Sequence, residues 1–143
     1  MKLPYKARNA AWAPRGVIYR PIVDLEMDSP TDRLSWPALV DTGLDVTLAP
    51  GWVASYLGLA LSQPEPIQGL SGLAITVRFG DVGLELSDGL ARSRWSARIA
   101  FYPGQEDCCL GHDGFFDLFH ASFDNHRRCL TVRPHPGAPV LVT

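Results

Sequence analysis

The stretch ALVDTGLDVTLAP, residues 38–50, decides the fold of this chain. Aliphatic and β-branched residues stand on both sides of Asp41, which predicts a buried strand, a sharp turn and a second strand. The tripeptide Asp41-Thr42-Gly43 occurs once and, being built from common residue types, is a weak signal by itself. Gly43 gives the turn backbone freedom. The apolar flanks therefore predict a carboxylate presented on a tight turn after a buried strand.

Alternating apolar residues extend the β pattern along much of the chain. A short amphipathic helix is predicted from Gly51 to just before Gly58, and a turn is predicted at residues 80–83. Strands joined by short turns favour an all-β fold, a closed antiparallel β-barrel with one or two short helices. The predicted strands cover residues 17–27, 34–40, 75–79, 84–86, 94–101 and 129–133, and a Gly-rich hairpin tip covers residues 67–73.

A second informative block, CLGHDGFFDLF, spans residues 109–119. Its apolar strand reaches Gly111, and Asp113 is a candidate N-cap for a short helix over residues 113–119. That helix is predicted to bury Phe115, Phe116, Leu118 and Phe119 against the barrel.

Length and composition favour a single globular domain. The chain has 143 residues, a formal net charge of −2 and 46% hydrophobic residues. We therefore expect no nucleic-acid partner, since no basic surface is indicated, and no membrane partner, since no apolar run is long enough to span one. Residues 1–16 lack the apolar core of a signal peptide. Three cysteines with no framework spacing favour a reducing, cytoplasmic environment.

Three alternatives to this interpretation are a metal site, a structural role for Asp41 and a serine nucleophile. Asp113, Asp117 and His120 would share one face of the predicted helix and could bind a metal. The opposite face carries the phenylalanines, so a solvated face is favoured, and we expect no metal and no cofactor. Asp41 could also be a purely structural aspartate that caps its turn. No Gly-x-Ser-x-Gly nucleophile elbow is present.

The order of these motifs resembles the retropepsin-like, or retroviral-type, aspartic proteases, especially small bacterial single-domain members. In that family an apolar-apolar-Asp-Thr-Gly loop precedes a Gly-rich flap, an apolar-apolar-Gly strand, a short helix and a final strand. The resemblance covers residues 17–133. It leaves residues 1–16 as an N-terminal extension and residues 134–143 as a C-terminal tail and candidate dimer-interface strand.

The resemblance implies an aspartic endopeptidase with a peptide or protein substrate. Asp41, Thr42 and Gly43 would be the catalytic residues, and two facing carboxylates would share one proton while a water attacks the scissile carbonyl. Because Asp-Thr-Gly occurs once, two copies must meet about a two-fold axis, which implies a homodimer. The substrate-binding residues implied are Asp45, Gly69, Leu70, Ser71, Gly72 and His112.

Two residues depart from the family pattern. Leu44 stands where a small residue is more common, and His112 stands where an arginine would pair with the acid at Asp45. Because histidine is only partly charged near neutral pH, we expect a contact between Asp45 and His112 that strengthens on acidification. The alternative function is a catalytically weak or inactive retropepsin-like module that binds peptide or dimerises.

Overall fold

The computed structural model describes residues 1–68 and 72–143. It is predominantly β, with a single helix, α1 (Gly51–Tyr56), in the described residues. The strands are β1 (Lys2–Pro4), β2 (Lys6–Asn9), β3 (Val17–Arg20), β4 (Ile22–Asp28), β5 (Arg33–Val40), β6 (Leu48–Pro50), β7 (Glu65–Gln68), β8 (Ala74–Ser87), β9 (Arg92–Tyr102), β10 (Cys108–Leu110), β11 (Phe119–Asp124), β12 (Cys129–Pro134) and β13 (Leu141–Val142). The prediction of a β-rich chain is confirmed.

One large sheet contains eight strands in the order β13-β9-β6-β10-β5-β4-β8-β7, and β8 also pairs with β9. The sheet is mixed, so the prediction of an all-antiparallel sheet was wrong. β10 runs parallel to β5, and β6 runs parallel to β9. The reason is topological: β5 and β6 flank the Asp41 turn and run in opposite directions, and β10 is inserted between them. A strand placed between two opposed strands must be parallel to one of them.

Both ends of the chain form strands. β1 adds to β12 in a three-stranded sheet of order β1-β12-β11, and β2 forms an antiparallel pair with β3. β13 pairs with the start of β9 through Leu141 and Val142. The segments that the sequence sets apart as an extension and a tail thus contribute strands to the fold, while a role of the tail at a dimer interface stays a prediction.

Trp95, Phe115 and Phe119 form the aromatic centre of the core. Their rings lie within 6.1 Å of one another between centroids, and all three side chains are buried. The indole nitrogen of Trp95 donates a hydrogen bond of 2.9 Å to the carbonyl of Gly114, which satisfies this buried donor. The predicted burial is therefore confirmed for Phe115 and Phe119, whereas Phe116 and Leu118 are only partly buried.

The predicted helix over residues 113–119 was wrong, because this segment is a series of turns. Gly114 has a φ of 91°, outside the helical region. The backbone N–H of Asp113 is bonded to the carbonyl of Asp45, so Asp113 belongs to an extended loop pairing rather than to a helix cap. The carboxylate of Asp117 instead accepts the N–H of Gly114 at 3.1 Å.

The turn predicted at residues 80–83, on the basis of Gly80 and Gly83, was also wrong, because β8 runs straight through these positions. A Cβ at Gly83 would lie 1.8 Å from a carboxylate oxygen of Asp28, and one at Gly80 would lie 2.7 Å from a methyl of Leu61. These glycines make room for neighbouring side chains rather than for a bend in the backbone.

The helix predicted after the Asp41 turn is confirmed as α1. It buries Val53 and Ala54, and Gly58 follows with a φ of 64°, which ends the helical path. Within residues 1–68 and 72–143, no helix has the length and apolar character needed to cross a membrane.

Candidate active site

The Asp41 turn lies at the end of β5, where it is fixed by backbone bonds. The N–H of Asp41 donates to the carbonyl of Leu110 at 3.0 Å, and the N–H of Leu44 closes the turn on the carbonyl of Asp41 at 3.4 Å. The N–H of Gly43 donates to Oδ1 of Asp41 at 2.9 Å. Asp41 is half-buried, whereas Thr42 and Gly43 are exposed. The turn therefore holds a carboxylate at the surface in a defined orientation.

Residues 44–47 and 111–113 interlock beneath this turn. His112 donates its backbone N–H to the carbonyl of Leu44 at 2.8 Å, and Asp113 donates to Asp45 at 2.9 Å. Val46 and Asp113 form a parallel bridge. Gly111 is packed so closely that an added Cβ would lie 2.5 Å from the carbonyl oxygen of Val46. The two motifs that the sequence singled out are thus brought into direct contact.

Thr47 is a site residue that sequence reasoning missed. Its side chain is buried, with 1% exposure, and Oγ1 accepts the N–H of Gly111 at 3.1 Å. Its own N–H donates to Asp113 and its carbonyl accepts from Ala100, both at 2.9 Å. A hydroxyl residue inside the apolar run after Asp41 was the available signal, since a buried hydroxyl needs a partner.

His112 does not make the contact that was predicted for it. Its Nε2 lies 2.8 Å from the carbonyl oxygen of Thr42. The ion pairs in the described part of the chain do not include one between His112 and Asp45, so that prediction was wrong. The cause is local: the backbone of residues 112–113 is bonded to that of residues 44–45, and the imidazole lies against the turn itself. Asp45 is exposed.

A cavity of about 790 Å³ is lined by residues close to the Asp41 turn, including Cys109, which lies near the charge of Asp41. Leu39 and Leu48 line it from the two strands that flank the turn, Cys109 lines it from β10, and Ile75 lines it from β8. Polar groups complete the lining: Arg8, Asn9, Arg20, Glu106 and Asp107. Arg8 forms an ion pair with Asp107, so the β2–β3 hairpin is tied to the loop that precedes β10. An apolar surface with charged groups beside it suits a peptide side chain and its backbone.

Cys109 connects the cavity to Asp41. Burial, followed by the nearby negative charge of Asp41 and those of Asp107 and Glu106, raises the pKa of the Cys109 thiol to about 11. The same factors of burial and neighbouring negative charge raise the pKa of Cys108 to about 12. Both are free thiols, as is Cys129. Cys109 thus contributes as a small apolar side chain next to the carboxylate.

The predicted flap corresponds to the hairpin of β7 and β8, which pair from Glu65 with Val77 to Gln68 with Ala74. Its predicted substrate-binding tip residues Gly69, Leu70 and Ser71 lie outside the described residues. Gly72 follows them with a φ of 75° and no atom within 4 Å of an added Cβ. Ile75, in the same hairpin, lines the cavity.

The alternative metal site loses its geometric basis. Asp113, Asp117 and His120 would share a face only on a helix, and His120 lies in β11 instead. In residues 1–68 and 72–143, no group of three His, Cys, Asp or Glu side chains is arranged to hold a metal ion.

Comparison with known proteins gives no match for this chain, either among protein-family models or among curated proteins.

Proposed function

We propose that this chain is a retropepsin-like aspartic endopeptidase whose active site forms across a homodimer. The observation that carries the proposal is the Asp41 turn. Its carboxylate is held by the N–H of Gly43 at 2.9 Å, at the end of β5 and two residues beyond Leu39, which lines the cavity. This is the arrangement expected for a carboxylate that acts on a bound peptide.

The chemistry needs a second carboxylate. In the proposed dimer, the Asp41 side chains of the two copies face each other and share one proton, because two like charges at short distance do not both ionise readily. The ionised carboxylate takes a proton from water as that water attacks the scissile carbonyl, and the protonated one donates a hydrogen bond to the developing oxyanion. Proton transfer to the leaving nitrogen then releases the two products.

The exposure of Thr42 and Gly43 supports the proposed dimer. The Asp41 turn is bonded to its own chain on one side and exposed on the other. It can therefore contact the same turn of a second copy without rearrangement. Thr42 would then hydrogen-bond across the two-fold axis. Each protomer would supply one cavity of about 790 Å³ to a shared cleft.

A closed barrel belongs to the same proposal, and strand pairing supports it. The order β9-β6-β10-β5-β4-β8 returns to β9 through the β8–β9 ladder, so each of these six strands has two neighbours within the ring. The substrate would be an extended peptide lying between the Asp41 turns and the β7–β8 hairpins. Its side chains would alternate into the apolar parts of the cleft, as extended peptides do.

A second candidate is a module with the same fold that binds peptide or dimerises without cleavage. One observation favours it: the bond from Gly43 N–H to Oδ1 of Asp41 is also the one that a turn-capping aspartate makes. Leu44, half-buried directly after Gly43, could narrow the cleft. The two candidates share the dimer and differ in whether a peptide bond breaks.

Cleavage of a mixed peptide library, measured by mass spectrometry between mildly acid and neutral pH, separates the candidates. Asp41→Asn is expected to abolish cleavage, whereas Asp81→Asn, at an exposed position in β8, is expected to keep it. Equal activity of Asp41→Asn and wild type would refute the mechanism. If neither wild type nor Asp41→Asn cleaves any peptide but both still bind peptide, the binding module is favoured.

Subunit mixing tests the dimer separately. If freely exchanging dimers need two Asp41 carboxylates, an equal amount of Asp41→Asn chain added to wild type lowers total activity to about half. A monomeric enzyme would keep its full activity in the same mixture. Analytical ultracentrifugation of both proteins provides the control, since a variant that no longer dimerises could not reduce the activity.

A further inference from the structure

The peptide group between Thr42 and Gly43 is hydrogen-bonded at both ends. Its carbonyl oxygen lies 2.8 Å from Nε2 of His112, and its N–H donates to Oδ1 of Asp41 at 2.9 Å. The imidazole of His112 and the carboxylate of Asp41 are therefore joined through one planar unit. A carbonyl oxygen can only accept, so Nε2 of His112 carries the hydrogen in this contact.

This arrangement matters because the turn contains glycine. A peptide group next to Gly43 can rotate at low steric cost, and rotation would turn its N–H away from the carboxylate. The bond from His112 opposes that rotation, because both bonds would have to break together. Hydrogen bonds in series also polarise one another, so the bond to Thr42 strengthens the one to Asp41.

His112 is itself well held. Its backbone N–H is bonded to the carbonyl of Leu44 at 2.8 Å, and its own carbonyl accepts the N–H of Asp117 at 3.0 Å. Its ring lies 5.4 Å from that of Phe116, which in turn packs edge-on against Phe115 at 5.1 Å. Since Phe115 is fully buried, a continuous series of contacts runs from the core to the turn.

We propose that His112 is a positioning residue for Asp41, acting through the Thr42–Gly43 peptide group. This inference rests on the proposed function for its catalytic consequence, and the orientation of the turn is measurable without it. His112 does not touch substrate in this role. It fixes the peptide group that orients the carboxylate, and a contact of His112 with substrate stays a prediction.

Two substitutions at one position test the role. His112→Leu removes the donor, whereas His112→Gln keeps an N–H donor at a similar reach without a ring. His126→Leu is the matched control, since His126 is exposed in the turn between β11 and β12. We expect His112→Leu to lower kcat about tenfold with KM nearly unchanged, the loss of one orienting hydrogen bond. His112→Gln is expected to recover most of the activity.

Nuclear magnetic resonance supplies a readout that does not need activity. In wild type, the Nε2–H form of the His112 ring and a downfield Gly43 amide proton are expected. The Gly43 resonance should move upfield in His112→Leu and return toward its wild-type position in His112→Gln. If His112→Leu does not fold, the tautomer of the His112 ring in wild type still tests the proposal. A ring protonated only at Nδ1 would overturn it.

The remaining outcomes separate this inference from the proposed function. A Gly43 amide that responds to His112→Leu no more than to His126→Leu overturns the positioning role, even if the wild type cleaves peptides. A protein that shows the expected amide changes but cleaves no peptide supports the positioning of the turn and overturns the peptidase proposal.

Discussion

Replacing Gly111 with alanine should destabilise the loops that hold the candidate site, because the added methyl group has no room. The added Cβ would lie 2.5 Å from the carbonyl oxygen of Val46 and 2.7 Å from that of Leu44. Both atoms belong to the backbone, so no side chain can rotate away. Relief requires the loop of residues 44–47 to move by roughly 1 Å, since non-bonded heavy atoms prefer about 3.5 Å or more.

The expected loss follows from the contacts that this movement disturbs. Overpacking of a rigid site costs about 1–3 kcal/mol. Two hydrogen bonds lie at the displaced point, from Gly111 N–H to Thr47 Oγ1 and from His112 N–H to Leu44 O, and each contributes about 1 kcal/mol. We expect Gly111→Ala to lower the free energy of unfolding by about 3–5 kcal/mol and Tm by about 10–17 °C.

Urea denaturation and thermal unfolding measure these losses, with Gly137→Ala as the control. Gly137 has a φ of 79° and no atom within 4 Å of an added Cβ, so alanine there costs only backbone strain, about 1–2 kcal/mol. Gly111 is not among the glycines with positive φ, so its cost comes from contact alone. A loss for Gly111→Ala no larger than that for Gly137→Ala would refute the proposed interlocking of the two loops.

Two further predictions concern buried groups beside the same turn. Thr47→Val keeps the side-chain shape but leaves the Gly111 N–H without its acceptor, so it should cost about 1–3 kcal/mol, against about 1 kcal/mol for the methyl lost in Thr47→Ser. Urea denaturation ranks the two variants. A valine variant more stable than the serine variant would contradict the hydrogen bond from Gly111 to Thr47. The Cys109 thiol, whose pKa burial and the Asp41 charge raise to about 11, should react with iodoacetamide about tenfold faster per pH unit from pH 8 to 10. A flat rate by mass spectrometry would contradict this.

Sequence patterns predicted what depends on near neighbours. The alternation in β9, the helix α1 and the turn at Asp41 follow from residues within a few positions of one another, and the structure contains all three. The apolar character of Phe115 and Phe119 also predicted their burial, although the helix expected to carry them is absent. Burial depends on side-chain chemistry, whereas helix formation also depends on Gly114 and on the bonds made by Asp113.

The remaining features depend on parts of the chain that are distant in sequence. The parallel pairing of β5 with β10 arises from the insertion of a strand some seventy residues further along. The glycines of β8 respond to Asp28 and Leu61, which no local pattern reveals. The partner of His112 is a backbone carbonyl, and every residue carries one, so the sequence does not single it out. The family resemblance implied the charged Asp45 as the partner instead.

Two aspartates at turns of this chain, Asp88 and Asp41, differ in how completely their carboxylates are bonded. Asp88 also lies at a turn, and its carboxylate accepts the N–H groups of Ala91, Lys2 and Leu90, which lower its pKa to about 2. Asp88 is thus a turn-capping aspartate whose two carboxylate oxygens both accept N–H groups. Asp41, in the described part of the chain, accepts one N–H, on Oδ1, and leaves Oδ2 free of protein donors. The Asp41 carboxylate is therefore bonded less completely than that of Asp88, and in the dimer proposed above its Oδ2 would face a water, a substrate or the second Asp41.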